Sequence, residues 1–140
     1  MNGIGKYKLV GLDTNIFIYH FEDNPQFSPY TQLIFEELSQ GKFQAVTSII
    51  SVIEALSYPS SSQILKNIEE GFKTIPNLTI LDIDHNLAVE AARLRRKYRI
   101  RLPDSVQLAT ALSSKAQAFI TNDEKLKKLK ELSVILLSNV

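Results

Sequence analysis

Short runs of β-forming apolar residues alternate with apolar residues at helical spacing along almost the whole chain, and few architectures accommodate that pattern. Residues 7–12, 43–47, 78–83, 118–120 and 134–137 read as strands. Between them, Ile16 to Tyr19, Leu33, Ile34 and Leu38, Ile64, Leu65, Ile68 and Phe72, and Leu87, Ala88, Ala91 and Leu94 mark helices, and Pro103 opens another that carries Val106, Leu108, Ala109, Ala111 and Leu112. A parallel neighbour can be reached only by a connection long enough to return over the sheet, so strands separated by helices imply a mainly parallel sheet joined by right-handed crossovers. An α/β sandwich is expected. Residues 22–29, with Asn24, Pro25 and Pro29, and residues 59–62, Pro59 followed by three serines, read as loops, and Gly41 as a helix stop. Residues 48–56 read as a helix that Ser48 could cap. Ile49, Ile50, Val52, Ile53, Ala55 and Leu56 make it apolar on nearly every face, so it is expected to be largely buried.

The 140 residues are one domain's worth, and no repeat, linker or second domain interrupts them, so a single domain over 1–140 is expected. Apolar residues at 44% and charged residues at 22% match an ordinary globular protein and exclude a disordered or fibrous one. With no cysteine, disulfides, zinc ribbons, iron-sulfur clusters and thiol nucleophiles drop out together, and a reducing cytoplasm is the expected location. Met1 to Gly5 contains no signal-peptide core, and no stretch approaches the roughly 20 apolar residues of a membrane span. Neither secretion nor a membrane anchor is expected.

In open parallel sheets, ligands gather beyond the carboxyl ends of the strands, near the point where strand order reverses. Asp13 directly follows the first strand, and Asp123 follows the 118–120 strand by three residues. The helix opened by Pro103 must end at the bottom of the sheet to feed that strand. Its start, with Asp104, therefore lies at the same upper edge, since about 13 residues at 1.5 Å rise cover about one strand length. Glu54 sits about two turns into its apolar helix, where an ionised carboxylate is costly to bury unless it is paired or coordinates a metal.

Each acid alone has an ordinary explanation. Asp13 could cap the helix at Thr14, Asp104 could be a first-turn acid favoured by the helix dipole, and Asp123 could sit in the first turn of a helix capped by Thr121 or Asn122. Four acids on one expected edge are harder to assign to chance, and clustered carboxylates repel, which implies a cation. The candidate ligands are all oxygens, while His20 and His85 are isolated and read as structural or surface residues, so Mg²⁺ or Mn²⁺ fits better than Zn²⁺. Such a site suits phosphodiester hydrolysis. No GxSxG or P-loop is present, and Gly3-Ile4-Gly5 precedes a strand, which rules out a dinucleotide fingerprint.

A net charge of +1 argues weakly against a polyanion partner, but 16 basic residues against 11 acids outside the suspected site leave +5 for the remaining surface. Arg93, Arg95, Arg96, Lys97, Arg99 and Arg101 form the most basic stretch. It could hold RNA phosphates, or it could be a solvated helix end.

Four motifs in order, Leu12-Asp13-Thr14-Asn15, Val52-Ile53-Glu54, Leu102-Pro103-Asp104-Ser105 and Ile120-Thr121-Asn122-Asp123, resemble those of the PIN-domain nucleases, most closely the toxin nucleases of VapBC-type (VapC) toxin-antitoxin pairs. The likeness covers nearly the whole chain. It implies a three-layer α/β/α sandwich, dependence on Mg²⁺ or Mn²⁺, and RNA hydrolysis by Asp13, Glu54, Asp104 and Asp123 as both catalytic and metal-binding residues. Asn15 and the Thr121 hydroxyl would support the acids. RNA and a small antitoxin protein are the implied partners, with a homodimer left open. The antitoxin is expected to cover an apolar groove on the helical face and to offer an arginine or lysine to the acids. Relatives that process ribosomal RNA carry zinc-binding segments, for which this chain has neither the length nor the cysteines.

Other classes fit less well. A phosphoaspartyl hydrolase of the haloacid-dehalogenase type would want a second aspartate two residues after Asp13, where Asn15 stands, and a phosphorelay receiver would need an acidic pair at an earlier strand end. A catalytically inactive PIN-like binding module would be expected to have lost some of the four acids.

Overall fold

Five strands, β1 (Leu9–Leu12), β2 (Gln44–Ser48), β3 (Leu78–Leu81), β4 (Ala118–Thr121) and β5 (Ser133–Leu136), form one sheet in the order β3-β2-β1-β4-β5. Every pairing is parallel. The structure is a computed structural model and describes residues 3–140; Met1 and Asn2, the start of the segment read as lacking a signal-peptide core, lie outside the described residues. Helices α1 (Thr14–Glu22) and α2 (Ser28–Ser39) connect β1 to β2, α3 (Ile50–Leu56) and α4 (Ser62–Thr74) connect β2 to β3, and α5 (His85–Tyr98) and α6 (Leu102–Ser113) connect β3 to β4. Helices thus join the parallel strands from β1 to β4, as expected.

Side chains alternate across the pleat and so build two cores. Val10, Leu12, Ala118 and Ile120 pack with Ile16, Phe17, Ile34, Leu38 and Phe72 of α1, α2 and α4. Val46 and Phe119 pack with Leu94, Leu108 and Ala109 of α5 and α6 on the other side. The result is the three-layer α/β/α sandwich. Phe17 and Phe119 are wholly buried, each contributing about 1.5–3 kcal/mol of transfer free energy. Helix α6 crosses β1 closely enough that a Cβ on Gly11 would stand 2.9 Å from Ala111 Cβ, so only glycine lets this helix reach the sheet.

Several elements depart from the sequence reading: β1 begins at Leu9 and not Tyr7, and α2 already takes in Ser28 and Pro29 of the segment read as a loop, since proline is tolerated in a first helical turn. Strand β3 stops at Leu81 instead of continuing to Ile83, because Asp84 already caps α5 by accepting from the Leu87 N–H at 2.8 Å. Helix α3 is only partly buried: Ser51 and Ala55 are buried, but Ile53 is 57% exposed. In its seven residues Val52 reaches one core and Ile50 the other, and Ile53 is left facing solvent. An apolar sequence alone cannot separate a core face from a surface one.

Candidate active site

The chain runs from β1 outward through β2 to β3, then returns to place β4 on the opposite side of β1. Strand order therefore reverses between β1 and β4, which opens a crevice at their carboxyl ends. Asp13 stands there. Its backbone N–H bonds the Ile120 carbonyl at 3.0 Å, prolonging the β1–β4 ladder by one residue. Its Oδ1 accepts from the Thr14 N–H at 2.8 Å, which caps α1, and its Oδ2 accepts from the Thr121 hydroxyl at 2.6 Å. Asp13 therefore caps α1, as its ordinary reading expected, while standing at the crevice.

The other three acids arrive from separate elements. Asp104 lies in the first turn of α6, where its Oδ2 is 3.3 Å from Arg101 Nε. Asp123 caps a 3₁₀ turn (Glu124–Lys128) through the Lys125 N–H at 3.0 Å, and its own N–H donates to Thr121 Oγ1 at 3.0 Å. Glu54, near the end of α3, accepts from the Thr14 hydroxyl at 2.6 Å. All four line one cavity of about 170 Å³, together with Asn15 and Arg101.

The Asp13 carboxyl is perturbed. Burial pushes its carboxyl up to about 6, and the charges of Asp104 and Glu54 add to the rise, while hydrogen bonds from Thr121 and Thr14 oppose it. The guanidinium of Arg101 is held above its usual value, first by Asp104 and further by the charges of Glu54 and Asp123. Asn15 lines the cavity, but its buried Oδ1 has no hydrogen-bond partner, so it bonds none of the acids through that oxygen. Thr121 is buried and links Asp13 to Asp123.

Among the described residues, no group of three histidine or acidic side chains is arranged to hold a metal ion. Each acid instead meets a donor from this chain: Thr14, Thr121, Arg101 or the Lys125 N–H. The donor chemistry still suits a hard divalent cation, being oxygen throughout, with one carboxyl raised by burial and further by two acidic neighbours, and one buried amide oxygen left without a donor. Neither histidine takes part. His20 stacks on Phe35 at 4.1 Å, with burial lowering its pKa, and His85 is exposed.

The PIN domain family matches residues 10–132 of the chain. The chain belongs to the PIN domain family. Solved structures similar to this PIN domain include VapBC2 from Rickettsia felis bound to a DNA fragment from its promoter, with a TM-score of 0.72, 20% identity, and coverage of 91% of this chain and 98% of that one. A toxin-antitoxin complex from Klebsiella pneumoniae gives 0.70, 20%, 94% and 99%, and DNA-bound VapBC from Salmonella typhimurium gives 0.71, 18%, 93% and 98%. Identities this low carry the fold alone. No curated relative matches the sequence. Among the described residues, no helix of this PIN domain is long and apolar enough to cross a membrane.

The basic stretch divides once it is folded. Arg93 pairs with Glu90 at 2.5 Å and Glu131 at 2.6 Å, and Lys97 with Glu131 at 3.3 Å. Arg95 bonds the Ile100 carbonyl through Nε at 3.2 Å, and Arg101 turns to the acid cavity. Arg95, Arg96 and Arg99 are exposed. Two residues that the sequence reading passed over stand beside the acids: Thr14, which binds Glu54, and Gln107, which binds Thr14 at 3.0 Å. A glutamine one helical turn after Asp104, and so on the same face of α6, was the available signal for Gln107.

Proposed function

We propose that this PIN domain is a metal-dependent endoribonuclease that hydrolyses RNA phosphodiester bonds and acts as the toxin of a toxin-antitoxin pair. The observation that carries this reading is the convergence of Asp13, Glu54, Asp104 and Asp123, from four separate segments, on one cavity at the switch point of the sheet. Those four acids would hold Mg²⁺ or Mn²⁺, since the donors are all oxygens. When bound, the cation supplies a hydroxide nucleophile and stabilises charge on the leaving oxygen. The chain's own part is positional. Thr121 fixes one oxygen of Asp13 and Thr14 fixes one oxygen of Glu54, so that neither carboxylate must be ordered when substrate arrives. Arg101 brings a guanidinium to the cavity, where a phosphate is its natural counter-ion.

The toxin reading draws on a second feature. A groove of about 440 Å³ between α1, α3 and α4 is lined by Ile18, Phe21, Ala55, Tyr58, Ile64 and Ile68. Ile18 and Tyr58 also line the acid cavity, so the two adjoin. A small antitoxin with an apolar helix seated in the groove would extend an arginine or lysine to the acids. Recovery from the native host as a lone, fully active monomer would contradict this.

Incubation of the purified protein with total RNA, followed by sequencing of the cut ends, tests the activity. Cleavage with Mg²⁺ or Mn²⁺ and none with EDTA is expected; undiminished cleavage in excess chelator would rule it out. The absence of three acids arranged around one ion among the described residues favours a second reading, a PIN-like binding module without catalysis. That reading expects no metal-dependent cleavage in the same assay.

A further inference from the structure

Behind the acid cavity lies a buried polar network built around Gln107, which is 1% exposed. Its Oε1 accepts from the Ser48 N–H at 3.2 Å, and its Nε2 donates to Ser51 Oγ at 2.6 Å and Thr14 Oγ1 at 3.0 Å. Thr14 Oγ1 in turn lies 2.6 Å from Glu54 Oε1. One side chain of α6 thus touches the end of β2, the start of α1 and the buried face of α3.

The hydrogens in this network can be assigned. A backbone N–H only donates, so Ser48 requires the carbonyl end of the Gln107 amide, and the NH₂ end must face the hydroxyls. Thr14 Oγ1 therefore accepts from Gln107, and its single proton is free for the carboxylate of Glu54, which only accepts. Ser51 also accepts from Gln107 and donates to Thr47 Oγ1 at 2.7 Å, nearer than Thr14 Oγ1 at 3.2 Å, leaving Thr47 to donate to the Leu12 carbonyl at 2.8 Å, its nearer acceptor. Each hydroxyl proton then has one acceptor, and the Ser48 N–H sets the direction of the whole chain.

Glu54 needs such an anchor more than Asp13 or Asp123 does. Asp13 and Asp123 each have a short side chain pinned by a backbone N–H, whereas Glu54 has a longer side chain on the partly exposed α3 and is held by the Thr14 hydroxyl. We propose that Gln107 is a positioning residue for the nuclease centre, turning the Thr14 hydroxyl toward Glu54 and so fixing that carboxylate at the cavity. The inference rests on the nuclease reading, because it gives Glu54 a part there. Gln107 touches neither the cavity nor, on this account, the substrate.

The test compares wild type with Gln107→Leu, Thr14→Val, Thr14→Ser and the Gln107→Leu/Thr14→Val double variant. Mn²⁺ affinity is read by calorimetry, kcat and KM by RNA cleavage, and folding by circular dichroism. Gln107→Leu and Thr14→Val are each expected to weaken Mn²⁺ binding about 10-fold and to lower kcat, with KM for RNA little changed, as is usual when a ligand's supporting hydrogen bond is lost. Thr14→Ser keeps the hydroxyl and should restore both. In the double variant the Mn²⁺ and kcat losses should not exceed those of the worse single variant, even where its melting temperature is lower than either. A merely structural Gln107 would lower the melting temperature without that pattern. Wild-type Mn²⁺ affinity and kcat in folded Gln107→Leu, or losses that multiply in the double variant, would overturn the inference. Should Gln107→Leu fail to fold, the Thr14 pair decides: loss in Val with recovery in Ser supports the relay, and parity of Val with wild type overturns it. A wild type that neither binds Mn²⁺ nor cleaves RNA removes the nuclease reading and the inference together, whereas an active wild type with unaffected variants removes the inference alone.

Discussion

The Thr121 hydroxyl donates to Asp13 Oδ2 at 2.6 Å while accepting from the Asp123 N–H, so one buried side chain couples the acid after β1 to the acid after β4. Thr121→Val leaves both partners unmatched in a buried site, which should cost about 1–3 kcal/mol in denaturant unfolding. It also removes the hydrogen bond that most opposes the rise of the Asp13 carboxyl, so in chelator the pH profile of stability should decline to a higher pH than in wild type. A profile and stability matching wild type would show that the bond is idle.

Asp13 makes the metal-free protein pH-sensitive. Its folded value of about 6 lies above the ordinary 3.8, so the folded state binds the proton more tightly than the unfolded state. That contribution to stability is complete below about pH 4 and is lost as pH rises through about 6, amounting to on the order of 3 kcal/mol. Urea unfolding in chelator should show this decline in wild type. In Asp13→Asn, which retains a side-chain acceptor for capping α1, it should be absent.

The basic stretch should separate into two kinds of cation. Glu131 is held well below the usual carboxylate range, at about 2, first by Arg93 and then by the Tyr98 hydroxyl, so its stabilisation is present above pH 4.5 and lost as pH falls through about 2. Because these side chains are partly exposed, Glu131→Gln should cost no more than about 1 kcal/mol and leave RNA cleavage unchanged. Replacing Arg96 and Arg99 by Gln should instead weaken RNA binding and flatten its salt dependence. Equal effects on RNA affinity from both sets of substitutions would contradict the division.

Most of what positions the site can be read from the order of residues. Asp13 and Asp123 follow strands and Asp104 opens a helix that must start at the same edge, so topology alone brings three acids together, and the cost of an unpaired carboxylate on an apolar helix adds Glu54. What cannot be read there depends on contacts between distant residues. The role of Gln107 comes from its meeting with Thr14, 93 positions away, and the neutralisation of Arg93 from Glu131, 38 positions away. The exposure of Ile53 follows from which residues of α3 reach the cores, which its composition does not record. Arg101 looked like one cation of a surface run, yet its position three residues before Asp104 on the same helix turn carries it to the acids.

Melting curves of wild type and Asp104→Asn, each in EDTA and in millimolar Mn²⁺, test most directly whether these acids share a divalent cation. In EDTA the variant should melt at or above wild type, because one of four repelling charges is gone and only a pair with a mostly exposed Arg101 is lost. Mn²⁺ should raise the melting temperature of wild type increasingly with concentration, and that of Asp104→Asn much less, since a cation that binds only the folded state stabilises it by mass action. Equal Mn²⁺-induced shifts in the two proteins would contradict the account.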